Sequence, residues 1–155
     1  GKVFVTGASG LIGSYAVKAL YNSGYEVTAL YRNVPASKKR YRWNIIETDL
    51  LESESTSILE SIDTDVVVHC AAALPKQFGG EEARQAAEKN KQIDAKIINF
   101  CKDKDYNLIY TSGTSIYGVT GFPWEEESVV SPLGSYALAK FQTEQKIAEL
   151  KNRSV

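Results

Sequence analysis

The stretch "SYALAK" places Tyr136 and Lys140 four residues apart, and in a helix that spacing sets both on one face. A phenol with its ordinary pKa of about 10 is a poor base at neutral pH. An ammonium group beside it favours the phenolate, so the pair predicts a Tyr136 shifted below that value. Such a tyrosine can exchange a proton with a substrate hydroxyl or carbonyl while hydride moves to or from a nicotinamide. The bland alternative is a surface helix pair, since Tyr-x-x-x-Lys recurs by chance.

A second stretch, "VFVTGASGLIG" at residues 3–13, spaces Gly7, Gly10 and Gly13 three apart behind a short apolar run. At a turn from strand to helix, a phosphate meets free backbone N–H groups and the positive end of the helix dipole. A side chain at Gly7 or Gly10 would block that approach, and Gly13 lets the helix pack closely. The spacing is G-x-x-G-x-x-G, one residue longer in its first step than the dinucleotide fingerprint G-x-G-x-x-G. Three glycines alone also suit a plain turn, so the surrounding elements must decide.

Those elements alternate. "KVFVT" (2–6) is a short β-branched run suited to a buried parallel strand, and residues 11–22 carry Leu11, Ile12, Tyr15, Ala16, Ala19 and Leu20 at helical spacing. "YEVTALY" (25–31) reads as a second strand, "NIIETDL" (44–50) as a third and "ESTSILESI" (54–62) as a modest helix. "DVVVHCAA" (65–72) is apolar on both faces and therefore central. Residues 81–103 predict a long helix with Ala83, Ala86, Ala87, Ile93, Ile97, Ile98 and Phe100 inward. "NLIYTS" (107–112) is the fifth strand, and a final helix runs from about Ser135 to Lys151. Five such units predict an α/β fold of Rossmann type, a doubly wound parallel sheet with helices on both faces. Ligands in such sheets bind beyond the carboxyl ends of the strands.

Bulk composition fits one soluble domain. The chain has 155 residues, 43% hydrophobic and 24% charged, with a formal charge of −1. That charge gives no reason to expect nucleic acid or an anionic membrane as partner. No apolar run reaches bilayer length and no signal peptide is visible, so a cytoplasmic protein is expected. Cys70 and Cys101 lack metal-ligand spacing and read as reduced, buried thiols.

With the elements in place, "TGASGLIG" resembles the nucleotide-binding turn of the short-chain dehydrogenase/reductases, in particular the extended group of epimerases, dehydratases and reductases. The likeness runs from residue 2 to about residue 150. It implies cofactor contacts from Gly7, Ser9, Gly10, Leu11, Ile12 and Gly13, with Thr6 opening the motif. Asp49 and Leu50 match the position that receives the adenine amino group. "HCAAA" (69–73) matches the strand end along the cofactor, with Ala71, Ala72 and Ala73, and Asn90 matches the asparagine that steadies the central strands. Tyr136 and Lys140 match the catalytic pair, Lys140 also holding the nicotinamide ribose. Members of this group continue into a mostly C-terminal substrate-binding part that these 155 residues do not contain.

The second strand ends in "LYRN", so Tyr31 stands where an aspartate would favour NAD. Arg32 offers a planar fork to a 2′-phosphate, with Lys38, Lys39 and Arg40 close behind, and the balance tilts to NADP over NAD. A solvated basic loop is the competing reading.

The third member of the family's catalytic set is a hydroxyl residue just past the fifth strand, and here the sequence departs from the pattern. In "YTSGTSIYG" (110–118) the aligned position is Gly113. Ser112 is the candidate, with Thr114 and Ser115 as substitutes. Tyr117 either approaches the substrate or packs under the following loop. His69 reads as a strand-end packing residue rather than a catalytic one, and Glu125, Glu126 and Glu127 as a solvated run. The reading is an NAD(P)-dependent enzyme acting on a C–OH/C=O centre of a nucleotide sugar or a carbonyl compound, with a small molecule as substrate and a homodimer left open. The competing class is a non-catalytic dinucleotide sensor.

Overall fold

A computed structural model describes residues 1–36, 40–77, 79–119 and 121–150. The run KVFVT forms β1 (Lys2–Thr6), the middle of a five-stranded sheet. β2 (Glu26–Tyr31) pairs on one side of it and β4 (Val66–His69) on the other, with β3 (Asn44–Glu47) and β5 (Asn107–Tyr110) at the edges. All four pairings are parallel and the order is β3-β2-β1-β4-β5. Chain direction across the sheet reverses between β1 and β4, which opens a crevice at their carboxyl ends.

Alternation along the strands builds two cores. Phe4, Leu30, Val67 and Leu108 point to one face and pack with Leu59 of α2 (Ser55–Glu60), Ile93, Ile97 and Phe100 of α3 (Gly80–Lys104), and Ile147 of α4 (Gly134–Ala148). Val3, Val5, Val27, Ala29 and Tyr31 point to the other and pack with Val17 of α1 (Leu11–Asn22). Helices therefore cover both faces, as the strand–helix repeat predicts. Val17 and Ile97 are fully buried, each contributing about 1.5–3 kcal/mol by leaving water. On the α1 face the row Val5–Val68–Ile109 ends at the edge strand, where Ile109 is 42% exposed.

All seven residues expected inward on the long helix are buried. On α1 the phase differs from the apolar spacing. Leu11, Ile12 and Tyr15 are 78%, 60% and 67% exposed, and Ala19 is exposed too. The inward stripe is Gly13, Ala16, Val17 and Leu20, at i, i+3, i+4 and i+7. Gly13 sets this rotation, because only a residue without a Cβ fits against the Gly7 carbonyl.

Both cysteines are free, and burial pushes the Cys101 thiol up to about 12. Among the described residues no helix is long and apolar enough to cross a membrane, and no group of three metal-ligating side chains gathers.

Candidate functional site

The glycine turn sits where β1 hands over to α1. Gly7 has a φ of +68°, and a Cβ there would stand 2.6 Å from the backbone nitrogen of Ala71. The neighbouring β4 end and the left-handed backbone thus require glycine here in their own right. At Gly13 a Cβ would stand 2.1 Å from the Gly7 oxygen. Gly10 is the open one: a Cβ would meet only that same oxygen, at 3.3 Å. Ser9 and Gly10 are exposed, and Leu11 and Ile12 lead the helix into solvent. No side chain caps α1, and its first turn carries no acidic residue. An exposed helix start with uncapped N–H groups fits a pyrophosphate, so the residues present suit a dinucleotide.

At the end of β2, Tyr31 is 4% exposed, and its hydroxyl accepts a hydrogen bond from Trp43 Nε1 at 3.2 Å. This position therefore presents a buried phenol where a carboxylate would face a ribose. Arg32 and Arg40 are exposed, and Lys38 and Lys39 lie outside the described residues. Glu47, paired with Tyr31 across the β2–β3 register, is an acidic group the sequence reading did not weigh; its Oε2 accepts the Val34 N–H at 2.6 Å. Past β3, Asp49 is half-buried and its Oδ1 accepts the Leu51 N–H at 2.9 Å, while the Leu50 side chain is buried in the core.

Beyond β4, Ala71, Ala72 and Ala73 are half-buried at the crevice. Asn90, fully buried on α3, accepts the Ala73 N–H at 2.7 Å and donates to the Ala73 oxygen at 2.9 Å. One amide side chain thus holds both polar groups of a segment that has left the sheet ladder.

Tyr136 and Lys140 share the α4 face that meets the ends of β4 and β5. Lys140 is 3% exposed; its Nζ donates to the Thr111 oxygen at 3.2 Å and lies 4.7 Å from the centre of the Tyr110 ring. Burial pulls the Lys140 ammonium below its ordinary value, opposed by the fields of Asp94, Cys70 and Glu144. The half-buried Tyr136 phenol sits above its ordinary value, first through burial and then through the Asp94 carboxylate. This reverses the expected lowering. The Lys140 ammonium is engaged with Thr111 and Tyr110, and the charge that acts on the phenol is negative.

Ser112 is exposed, two residues beyond β5. Thr114 and Ser115 belong to a single 3₁₀ turn, Thr114–Tyr117, of which Thr114 is exposed. Tyr117 stacks on Trp124 at 6.1 Å, which is the packing role of its two readings. Glu125, Glu126 and Glu127 are exposed.

His69 lies in a buried polar chain that the sequence reading missed. Thr6 Oγ1 accepts the N–H groups of Cys70 at 3.2 Å and Ala71 at 3.1 Å, which fills both its lone pairs. Its proton must then go to His69 Nδ1, 2.6 Å away, and His69 Nε2 donates to Asp94 Oδ1 at 2.9 Å. Asp94 Oδ2 accepts the hydroxyls of Tyr110 at 2.9 Å and Thr143 at 2.7 Å. Asp94 is 1% exposed, and burial alone would raise its carboxyl. The hydrogen bond and field of the His69 ring, the Thr143 hydroxyl and the Lys140 charge together hold it below its ordinary value. The available signal was a lone aspartate at helical spacing within the apolar stripe of residues 81–103.

The comparisons agree with this fold. ADP-L-glycero-D-manno-heptose-6-epimerase of Brachyspira hyodysenteriae is 27% identical over 96% of this chain and 48% of its own length. Methionine adenosyltransferase 2 subunit beta of Rattus norvegicus is 26% identical over 96% of this chain and 43% of its own. The chain thus spans about half the length of these curated relatives. Among solved structures, UDP-glucuronic acid 4-epimerase from Bacillus cereus in complex with NAD superposes with a TM-score of 0.78 at 28% identity, covering 99% of this chain and 53% of that one. The model of the NAD dependent epimerase/dehydratase family matches residues 3–154, and the chain belongs to that family.

Proposed function

We propose that this chain is the dinucleotide-binding and acid–base portion of an oxidoreductase, epimerase or dehydratase acting on a C–OH/C=O centre. The observation that carries the reading is the meeting of the Tyr136–Lys140 face of α4 with the β4 and β5 ends, at the same sheet end as the open Gly10 turn. Gly7, Ser9, Gly10, Leu11, Ile12 and Gly13 would bind the pyrophosphate, and Asp49 with its neighbour Leu50 the adenine side. Ala71, Ala72 and Ala73 would line the cofactor. The nicotinamide ring, when bound, exchanges a hydride with the substrate carbon.

Everything else falls to the chain's own groups. Tyr136 accepts the hydroxyl proton as a carbinol is oxidised and returns it as a carbonyl is reduced. Lys140 supplies the buried positive charge on the same helical face and would hold the nicotinamide ribose. Ser112 donates a hydrogen bond to the substrate oxygen. Arg32, exposed beside the buried Tyr31, favours NADP through a charge-assisted fork to the 2′-phosphate, although a relative of known structure binds NAD. The epimerases of activated sugars among the relatives support a nucleotide sugar as substrate.

The test is turnover of the full-length protein with NADPH or NADH and a panel of nucleotide sugars and carbonyl compounds, against Tyr136→Phe. General acid–base loss predicts a drop on the order of 10²–10⁴-fold in kcat with dinucleotide binding retained. A second reading, a binding subunit without turnover, has support in the relative named as the beta subunit of another enzyme and in the upward-shifted Tyr136. Dinucleotide binding with no turnover on any member of the panel would favour it.

A further inference from the structure

Tyr136, Lys140 and Thr143 stand at i, i+4 and i+7 on α4 and so form one stripe. The last of the three is tied to Asp94 of α3 at 2.7 Å, through a contact buried on both sides. The same carboxylate oxygen holds the Tyr110 hydroxyl, and the Tyr110 ring carries the Lys140 ammonium on its face. The other oxygen holds His69, whose ring is fixed by Thr6, one residue before the glycine turn. One buried charge therefore joins β1, β4, β5, α3 and α4 beneath the candidate site. With Nδ1 of His69 accepting from Thr6 and Nε2 donating to Asp94, the chain of bonds ends on the Asp94 carboxylate.

We propose that Asp94 is a positioning residue for the Tyr136–Lys140 face. Its carboxylate provides the buried negative charge that faces this pair, joined to the Lys140 side through the Tyr110 ring and tied to their helix by Thr143. This rests on the functional reading above only in treating Tyr136 and Lys140 as the working pair.

The groups facing this charge are few. His69 approaches from β4 and Tyr110 from β5, with Thr143 from α4. Lys140 also feels Cys70 from β4 and Glu144 from its own helix. Of these, Asp94 alone is both buried and hydrogen-bonded from three elements, β4, β5 and α4. Burial acts first on both Tyr136 and Lys140, and the Asp94 carboxylate is the charge that acts on both.

The experiment is a tyrosine Cζ NMR titration of the ligand-free protein, with Tyr136→Phe to assign the resonance. The variants are Asp94→Asn, which removes the charge at constant shape, and Thr143→Val, which removes the tether and keeps the charge. The wild-type Tyr136 signal is expected to stay that of a phenol past about pH 10, the ordinary midpoint of the side chain. Asp94→Asn moves the midpoint to lower pH, and Thr143→Val leaves it in place. A midpoint unmoved by Asp94→Asn overturns the proposal, as does an equal shift in Thr143→Val, which would assign the effect to packing. Should Asp94→Asn not fold, a wild-type midpoint at or below that of free tyrosine overturns it equally. The titration uses neither cofactor nor substrate, so it fails or succeeds independently of any failure to find turnover.

Discussion

A Cβ on Gly13 would stand 2.1 Å from the carbonyl oxygen of Gly7, the atom that also accepts the Gly10 N–H at 2.9 Å. The helix start and the turn before it are thus packed backbone to backbone. Gly13→Ala must push main chain apart, and overpacking of this kind costs about 1–3 kcal/mol or more. Gly10→Ala meets the same oxygen at 3.3 Å and needs only a small adjustment. Thermal melts should show a clear loss of Tm for Gly13→Ala and a small one for Gly10→Ala. Calorimetry should show Gly10→Ala weakening dinucleotide binding beyond what its stability loss explains. Equal effects of the two substitutions on both measurements would remove the distinction.

Arg32 is exposed next to a position that carries a buried tyrosine in place of an acid. A charge-assisted hydrogen bond to a 2′-phosphate contributes about 1.5–3 kcal/mol, or a factor on the order of ten to a hundred in affinity. Arg32→Ala should therefore weaken NADPH by that factor and leave NADH nearly unchanged. Titrations of both dinucleotides against both proteins check it. A wild-type preference for NADH would transfer the ribose contact to another group, Glu47 being the acidic side chain at this strand end.

Asn90→Ala orphans the N–H and the oxygen of Ala73. Each buried group left unpaired costs about 1–3 kcal/mol, with the lower end favoured because Ala73 is half-buried and water can reach it. Asn90→Asp keeps the acceptor but loses the donor and adds a charge at a fully buried position, so it should be the worse of the two. Urea unfolding midpoints rank them, and the opposite order would contradict the two-bond reading.

Acid stability carries the signature of Asp94. Its folded carboxyl lies below the ordinary value of 3.8, so the unfolded chain takes up its proton first. The contribution is complete above the unfolded value and is lost as pH falls through the lower folded one. Urea midpoints measured from pH 6 downward should fall more steeply below about pH 4 in the wild type than in Asp94→Asn. Parallel curves would show that Asp94 makes no pH-dependent contribution.

Much of this molecule is readable along the chain because it depends on local pattern. Short β-branched runs alternate with amphipathic ones, and that order permits little besides a parallel sheet with helices on both faces. The inward residues of the long helix follow from a period of 3.6 over 25 residues, long enough for the phase to be unambiguous. Asn90 entered through the family resemblance and not through periodicity, and its partner is Ala73, beyond the end of β4.

Tertiary contact decided the rest. On α1 the apolar residues outnumber the places on one face, and only the approach of Gly13 to Gly7 selects the rotation that leaves Leu11, Ile12 and Tyr15 in solvent. The charge state around Tyr136 was misread for a related reason. Spacing along α4 shows that Lys140 is close, but says nothing of the Thr111 oxygen that accepts its hydrogen bond or of Asp94, 42 positions before Tyr136. Local periodicity determines which face a side chain shares. The fields and hydrogen bonds that set its chemistry come from strands and helices that folding alone brings together.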